Sequence, residues 1–130
     1  MSSVTPPGWT PARGYAHGIV TRGRLVFVAG QLGCDRDRKI VSEDFVLQAQ
    51  AALANVMEVL AAGGALPVHM ARMTWYVTDM REYMSSWPRL GAGYREVMGA
   101  HYPAMTAVAV SALVDPAAKV EIEVTAVVPD

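Results

Sequence analysis

The sequence has a single cysteine, Cys34, among 130 residues. An internal disulfide is therefore impossible, and a lone thiol fits a reducing compartment. No stretch approaches the ~18 consecutive apolar residues of a membrane-spanning helix, so no membrane partner is expected. Residues Met1 to Pro11 lack the charged segment and apolar run of a secretory signal, which makes the cytoplasm the expected location. Eleven basic residues face twelve acidic ones, and no basic run is longer than Arg38-Lys39. Neutralising phosphates takes a basic stripe, so nucleic acid is not an expected partner. The three histidines, His17, His69 and His101, lack metal-ligand spacing, and no metal is expected. Neither Gly63-Gly64 nor Gly91-Ala92-Gly93 opens with the phosphate-loop pattern after a strand. Cys34 sits in a charged loop with no histidine nearby in sequence, which argues against a nucleophile.

Charge is sparse at 18%, while hydrophobic residues reach 52%. Soluble domains usually carry about 25% charge and about 45–50% apolar residues. A chain this short forms one domain and buries roughly 65–70% of the surface its unfolded form exposes. Part of the apolar excess is therefore expected on a surface covered by another subunit.

Residues 1–12, with Pro6, Pro7 and Pro11, predict an extended, poorly packed arm, and residues 13–130 a single domain. Ala16 to Thr21 and Arg24 to Ala29 are short β-type runs, and Arg22-Gly23 between them predicts a hairpin. Leu25 to Val28 is apolar throughout, which predicts a strand covered on both faces and ended by Gly30. Ile40-Val41 is a candidate brief strand. Ser42 or Asp44 can cap a helix, with Glu43 and Asp44 favourable in its first turn. Phe45, Ala49, Ala52, Val56 and Leu60 then mark one helical face, stopped by Gly63-Gly64. Ala71 to Thr78 alternates, with Ala71, Met73, Trp75 and Val77 on one side and Arg72, Thr74, Tyr76 and Thr78 on the other. Asp79 can cap a second helical region to about Gly99, which Pro88 and Gly91 should break or kink. Ala104 to Leu113 and Val120 to Val128 are the last strands. The order β-β-α-β-α-β-β predicts an α+β fold: a mixed sheet with two helices on one face. The other face needs cover, and a second subunit is the simplest cover.

Four segments, taken in order and spacing, resemble the RidA/YjgF family of reactive-intermediate deaminases, also known as endoribonuclease L-PSP. They are GYAHGIVTRG at 14–23, LVFVAGQL at 25–32, HYPAMTAVAV at 101–110 and KVEIEVTAVV at 119–128. The resemblance spans Arg13 to Val128. It implies a chorismate-mutase-like fold and a homotrimer with a small-molecule cleft between each pair of subunits. It also implies hydrolysis of enamines and imines to keto acids and ammonia, with no metal and no cofactor. Family deaminases place an arginine after the Pro-Ala of the penultimate strand, where it grips the substrate carboxylate. Met105 stands at that position here. The family's water-positioning glutamate matches Glu121, its cleft tyrosine matches Tyr15, and its turn glycine matches Gly30. Ala29, Gly91 and Ala107 depart from the pattern.

A guanidinium binds a carboxylate through two parallel charge-assisted hydrogen bonds, and methionine offers only a flexible apolar surface. The substrate is therefore expected to differ from simple 2-imino acids. Arg13, Arg72, His17 and His101 are candidate replacement cations. His101, four residues before Met105, joins Tyr15, Gly30 and Met105 as a candidate binding residue, with Glu121 as the candidate acid–base group. A non-catalytic metabolite-binding or regulatory role for the same clefts is the alternative.

Overall fold

The computed structural model describes all 130 residues. Its centre is a four-stranded sheet made of β3 (Arg24–Leu32), β4 (Met70–Val77), β5 (Ala104–Ala109) and β6 (Val120–Val128), in the order β3-β6-β4-β5. Only the β4–β5 pair is parallel. Three helices cover one face: α1 (Phe45–Ala62), α2 (Met80–Ser85) and α3 (Trp87–Met98). This is the expected α+β fold with its helices on one side.

Helix α1 forms where the four- and three-residue spacing put it. Asp44, extended at its own backbone, accepts the N–H of Leu47 at 2.9 Å and so caps the helix. The helix begins at Phe45, so neither Glu43 nor Asp44 lies in its first turn; Ser42 instead receives the N–H of Asp44. Ala49, Ala52, Leu53, Val56 and Leu60 are fully buried against the sheet. The alanines let the helix approach closely, and each buried leucine contributes about 1.5–3 kcal/mol. Although α1 is long and apolar enough to cross a membrane, its inward face is part of this core. Gln48 is the buried polar exception, tied to the carbonyls of Ser42 and Ala117 and to the N–H of Lys119.

The second helical region is broken as expected, but at Pro88 alone. Asp79 caps α2, and Pro88 takes the first turn of α3, where no intrahelical N–H is required. Gly91 lies inside α3 without interrupting it. In β4 a register shift between Met70 and Arg72 gives the core position to Met70 rather than Ala71. Strand β5 stops at Ala109, and Ile40 forms only an isolated bridge to Cys34.

The N-terminal strands differ most from expectation. The hairpin across Arg22-Gly23 does not form. β2 (Gly18–Val20) pairs instead with β1 (Ser2–Val4) of the arm, as a separate two-stranded sheet. Ala16 is bridged to Ala104, and its N–H donates to the Pro103 carbonyl at 3.0 Å. That fixes Ala16 at the β5 edge, whereas Arg24 pairs with Val128 beside the opposite edge. Residues 17–23 must cross roughly 19 Å of sheet, four strand spacings, which a two-residue turn cannot do. Gly23 serves that crossing: a Cβ there would lie 2.1 Å from the Val128 carbonyl oxygen.

Gly30 does not end β3. The strand runs to Leu32 through a register shift between Val28 and Gln31. Within one chain β3 is covered on its helix side only, and Leu25 (56%) and Phe27 (71%) are exposed on the other.

Candidate functional site

The helix layer closes tightly under α1 but not at the β5 edge. There the break between α2 and α3 leaves a cavity of about 690 Å³. Its floor comes from the helix-facing residues Trp75 of β4 and Met105 and Ala107 of β5. Met80, Tyr83 and Met84 of α2 line one wall, with Trp87, Leu90 and Tyr94 of α3 beside them. Arg13, Gly14 and Tyr15, where the arm joins the domain, supply the remaining wall. Trp75, Leu90 and Tyr94 are buried, whereas Arg13, Tyr15, Trp87 and Arg95 are exposed. The cavity is thus apolar in depth and open at the side of the arm.

Aromatic contacts hold its shape. The Tyr83 ring meets Phe45 edge-on at 6.2 Å and Trp87 edge-on at 6.1 Å, and tilts against Trp75 at 6.1 Å. Tyr94 stacks on Tyr102 with ring centroids 5.1 Å apart, and its hydroxyl donates to the His101 carbonyl at 2.6 Å. Burial pushes the hydroxyls of Tyr83 and Tyr94 above the ordinary tyrosine range. Both are neutral donors near pH 7 rather than bases. No carboxylate lines the cavity. Arg13 and Arg95 are its charged residues, and neither enters an ion pair; the three in the molecule are Arg36–Glu58, Arg89–Asp44 and Lys119–Glu82.

Of the residues singled out from sequence, Tyr15 and Met105 meet in this cavity. Glu121 and Gly30 come together elsewhere. Along β6, Val120, Ile122 and Val124 face the helices, so Glu121 and Glu123 point to the open face. A Cβ on Gly30 would lie 2.7 Å from the Glu121 carboxyl carbon, so the missing side chain makes room for that carboxylate. On the same face Tyr76 donates to Glu123 at 2.5 Å. That bond, then desolvation and the charges of Glu123 and Glu121, hold the Tyr76 hydroxyl protonated above its usual range. Within one chain the sheet itself therefore separates Glu121 from Met105.

His101 does not line the cavity. Its ring Nε2 lies 2.9 Å from the Met70 carbonyl, so the imidazole is engaged in holding the β4 entry. Of the other candidate cations, Arg72 faces away on the open side and His17 is held between Trp9 and Tyr15. Cys34 is buried in a small cluster with Leu32 and Ala118. No three metal-ligating side chains lie together. A second depression, of about 540 Å³, lies along residues 111–119, where Lys119 is already paired with Glu82.

Reading the residues alone missed Trp75, Tyr83, Trp87 and Arg95 as site residues. The spacing of Tyr83 and Trp87, one helical turn apart beside Pro88, was the available signal.

A family model described as Endoribonuclease L-PSP matches residues 7–128. The protein DfrA of Myxococcus xanthus is 34% identical over 113 residues, covering 83% of this chain and 79% of that protein. A Rid-family protein of unknown function, YyfB from Yersinia pestis, superposes with a TM-score of 0.84 at 30% identity over 98% of both chains. TdcF of E. coli, solved with bound serine, superposes with a TM-score of 0.70 at 28% identity, again over 98% of both chains.

Proposed function

Because the chain belongs to the endoribonuclease L-PSP, or RidA/YjgF, family, we propose that it is an enamine- or imine-deaminase-type hydrolase adapted to a bulky apolar substrate. One observation carries this reading: Met105 opens into a cavity walled by aromatic and methionine side chains, with no carboxylate in it. Methionine at that position gives a substrate dispersion contact where a guanidinium would give two charge-assisted hydrogen bonds. In the reaction, water adds to the carbon of the C=N bond, the C–N bond breaks, and the nitrogen leaves as ammonia with a carbonyl left behind. The family resemblance gives the role of base to Glu121, while Tyr83 and Tyr94 stay neutral donors. Glu121 reaches the cavity only from a neighbouring copy, in keeping with the homotrimer and intersubunit clefts that the family resemblance implies. Exposed Leu25 and Phe27 on the open face support such an assembly.

The test compares imines generated in situ from a small and from a large aromatic amino acid, with keto acid as the readout. The wild-type chain is expected to leave the small imine at its buffer rate and to accelerate the aromatic one. Met105→Arg should restore action on the small imine by more than about tenfold, since each charged hydrogen bond is worth about 1.5–3 kcal/mol. Strong wild-type acceleration of the small imine would overturn the proposal.

A second reading, binding without turnover, is favoured by the separation of Glu121 and Met105 on opposite faces of the sheet. Tight uptake of a metabolite, with no turnover and no effect of Glu121→Gln, would decide for it.

A further inference from the structure

We infer that the cavity takes an aromatic carboxylate in a fixed orientation, with its ring against Met105 and its carboxylate at the mouth between Arg13 and Arg95. This rests on the reading of the cavity as the ligand site, and it adds the charge and direction of the ligand.

The deep surface is formed by Trp75, Leu90, Tyr94 and Met105, which favours a flat apolar body over a polar one. No charged group lies there. The Tyr94 hydroxyl is spent on the His101 carbonyl, and Met105 has neither a donor nor a charge. Positive charge occurs only at the open side. Arg13 arrives from where the arm joins the domain and Arg95 from the last turn of α3, so two separate elements each bring one guanidinium to one cavity. The Arg95 side chain folds back along its own helix, where a Cβ on Gly91 would lie 3.5 Å from its guanidinium. Neighbouring Glu96 faces elsewhere and takes a hydrogen bond from Gln50 at 3.3 Å. With no acid in the chain's own lining and no ion pair to either arginine, both charges remain available to an anion. A guanidinium matches a carboxylate in shape as well as charge. The apolar end therefore enters first and the carboxylate stays at the rim.

The test uses 3-phenylpropanoate and its uncharged isostere 3-phenylpropanamide, followed by selective tryptophan fluorescence, since Trp75 and Trp87 line the cavity. The wild-type chain is expected to bind the acid about tenfold more tightly than the amide, with the preference shrinking in high salt. In the Arg13→Gln, Arg95→Gln double variant the preference should vanish while the amide is still bound, which also shows that the cavity is intact. Equal binding of acid and amide by the wild type would overturn the inference and leave the cavity reading standing. A preference that survives the double substitution would overturn the assignment to these two arginines. Failure of both probes to bind would overturn the inference together with the reading beneath it.

Discussion

The two ends of the helix layer use the same architecture with opposite results. Under α1, five side chains facing the sheet are fully buried. Under α2 and α3, the same sheet carries a cavity of about 690 Å³. The difference lies in how the helices meet the strands. Helix α1 is unbroken over 18 residues and lined with alanine, so its axis lies near the sheet along its whole length. The second region breaks at Ser86–Pro88, and its inward residues are tyrosine, tryptophan and methionine, whose rings brace one another around a gap. A packed end supplies rigidity and a propped-open end supplies a binding surface; one sheet holds both.

The largest expected effect breaks the packed end. Leu53→Ala should cost about 2–5 kcal/mol in urea denaturation, because its cavity forms in a site that cannot collapse. Met105→Ala, at the open end, should cost only about 1 kcal/mol, since the side chain is half-buried and already borders empty space. Equal losses would remove the distinction between the two ends. An intermediate effect is expected from Gln48→Ala, which takes the buried partner from the Lys119 N–H and from the carbonyls of Ser42 and Ala117. Its cost should be about 2–3 kcal/mol, with the Lys119 amide losing protection in hydrogen exchange.

The smallest effect concerns the joint between the ends. Arg89 of α3 bonds both carboxylate oxygens of Asp44, the α1 cap, at 3.1 Å. This contact, then the Leu47 N–H, holds the Asp44 carboxyl below its ordinary value. A lowered folded-state value means the contribution is fully present above the unfolded value near 3.8 and is lost as pH falls through the folded one. Asp44→Ala should cost about 1 kcal/mol at neutral pH, mainly as a lost cap, because the ion pair is exposed and screened. The gap to the wild type should narrow below about pH 4. A pH-independent gap would show that the carboxylate charge contributes nothing.

Much of the packed end was legible in the sequence. Phe45, Ala49, Ala52, Val56 and Leu60 named the buried face of α1, and the alternation in β4 named its helix-facing row from Met73 to Val77. These are local patterns that burial imposes directly. The partner of β2 was not legible, because Arg22-Gly23 has hairpin chemistry while the pairing is decided by where Ala16 is held, far away on β5. The cavity was half legible. Tyr15 and Met105 came from the resemblance, whereas Trp75 and Tyr83 looked like ordinary inward residues. Periodicity tells which side chains turn inward, but not whether the space they reach is filled.

The central claim is that the open end beside Met105 is where a ligand sits. Calorimetric titration of 3-phenylpropanamide into the wild type and into Met105→Trp tests it most directly, with thermal denaturation as the control. Saturable binding to the wild type is predicted, abolished when the larger ring fills the cavity and accompanied by an unchanged or raised Tm. Equal binding by both chains would contradict it.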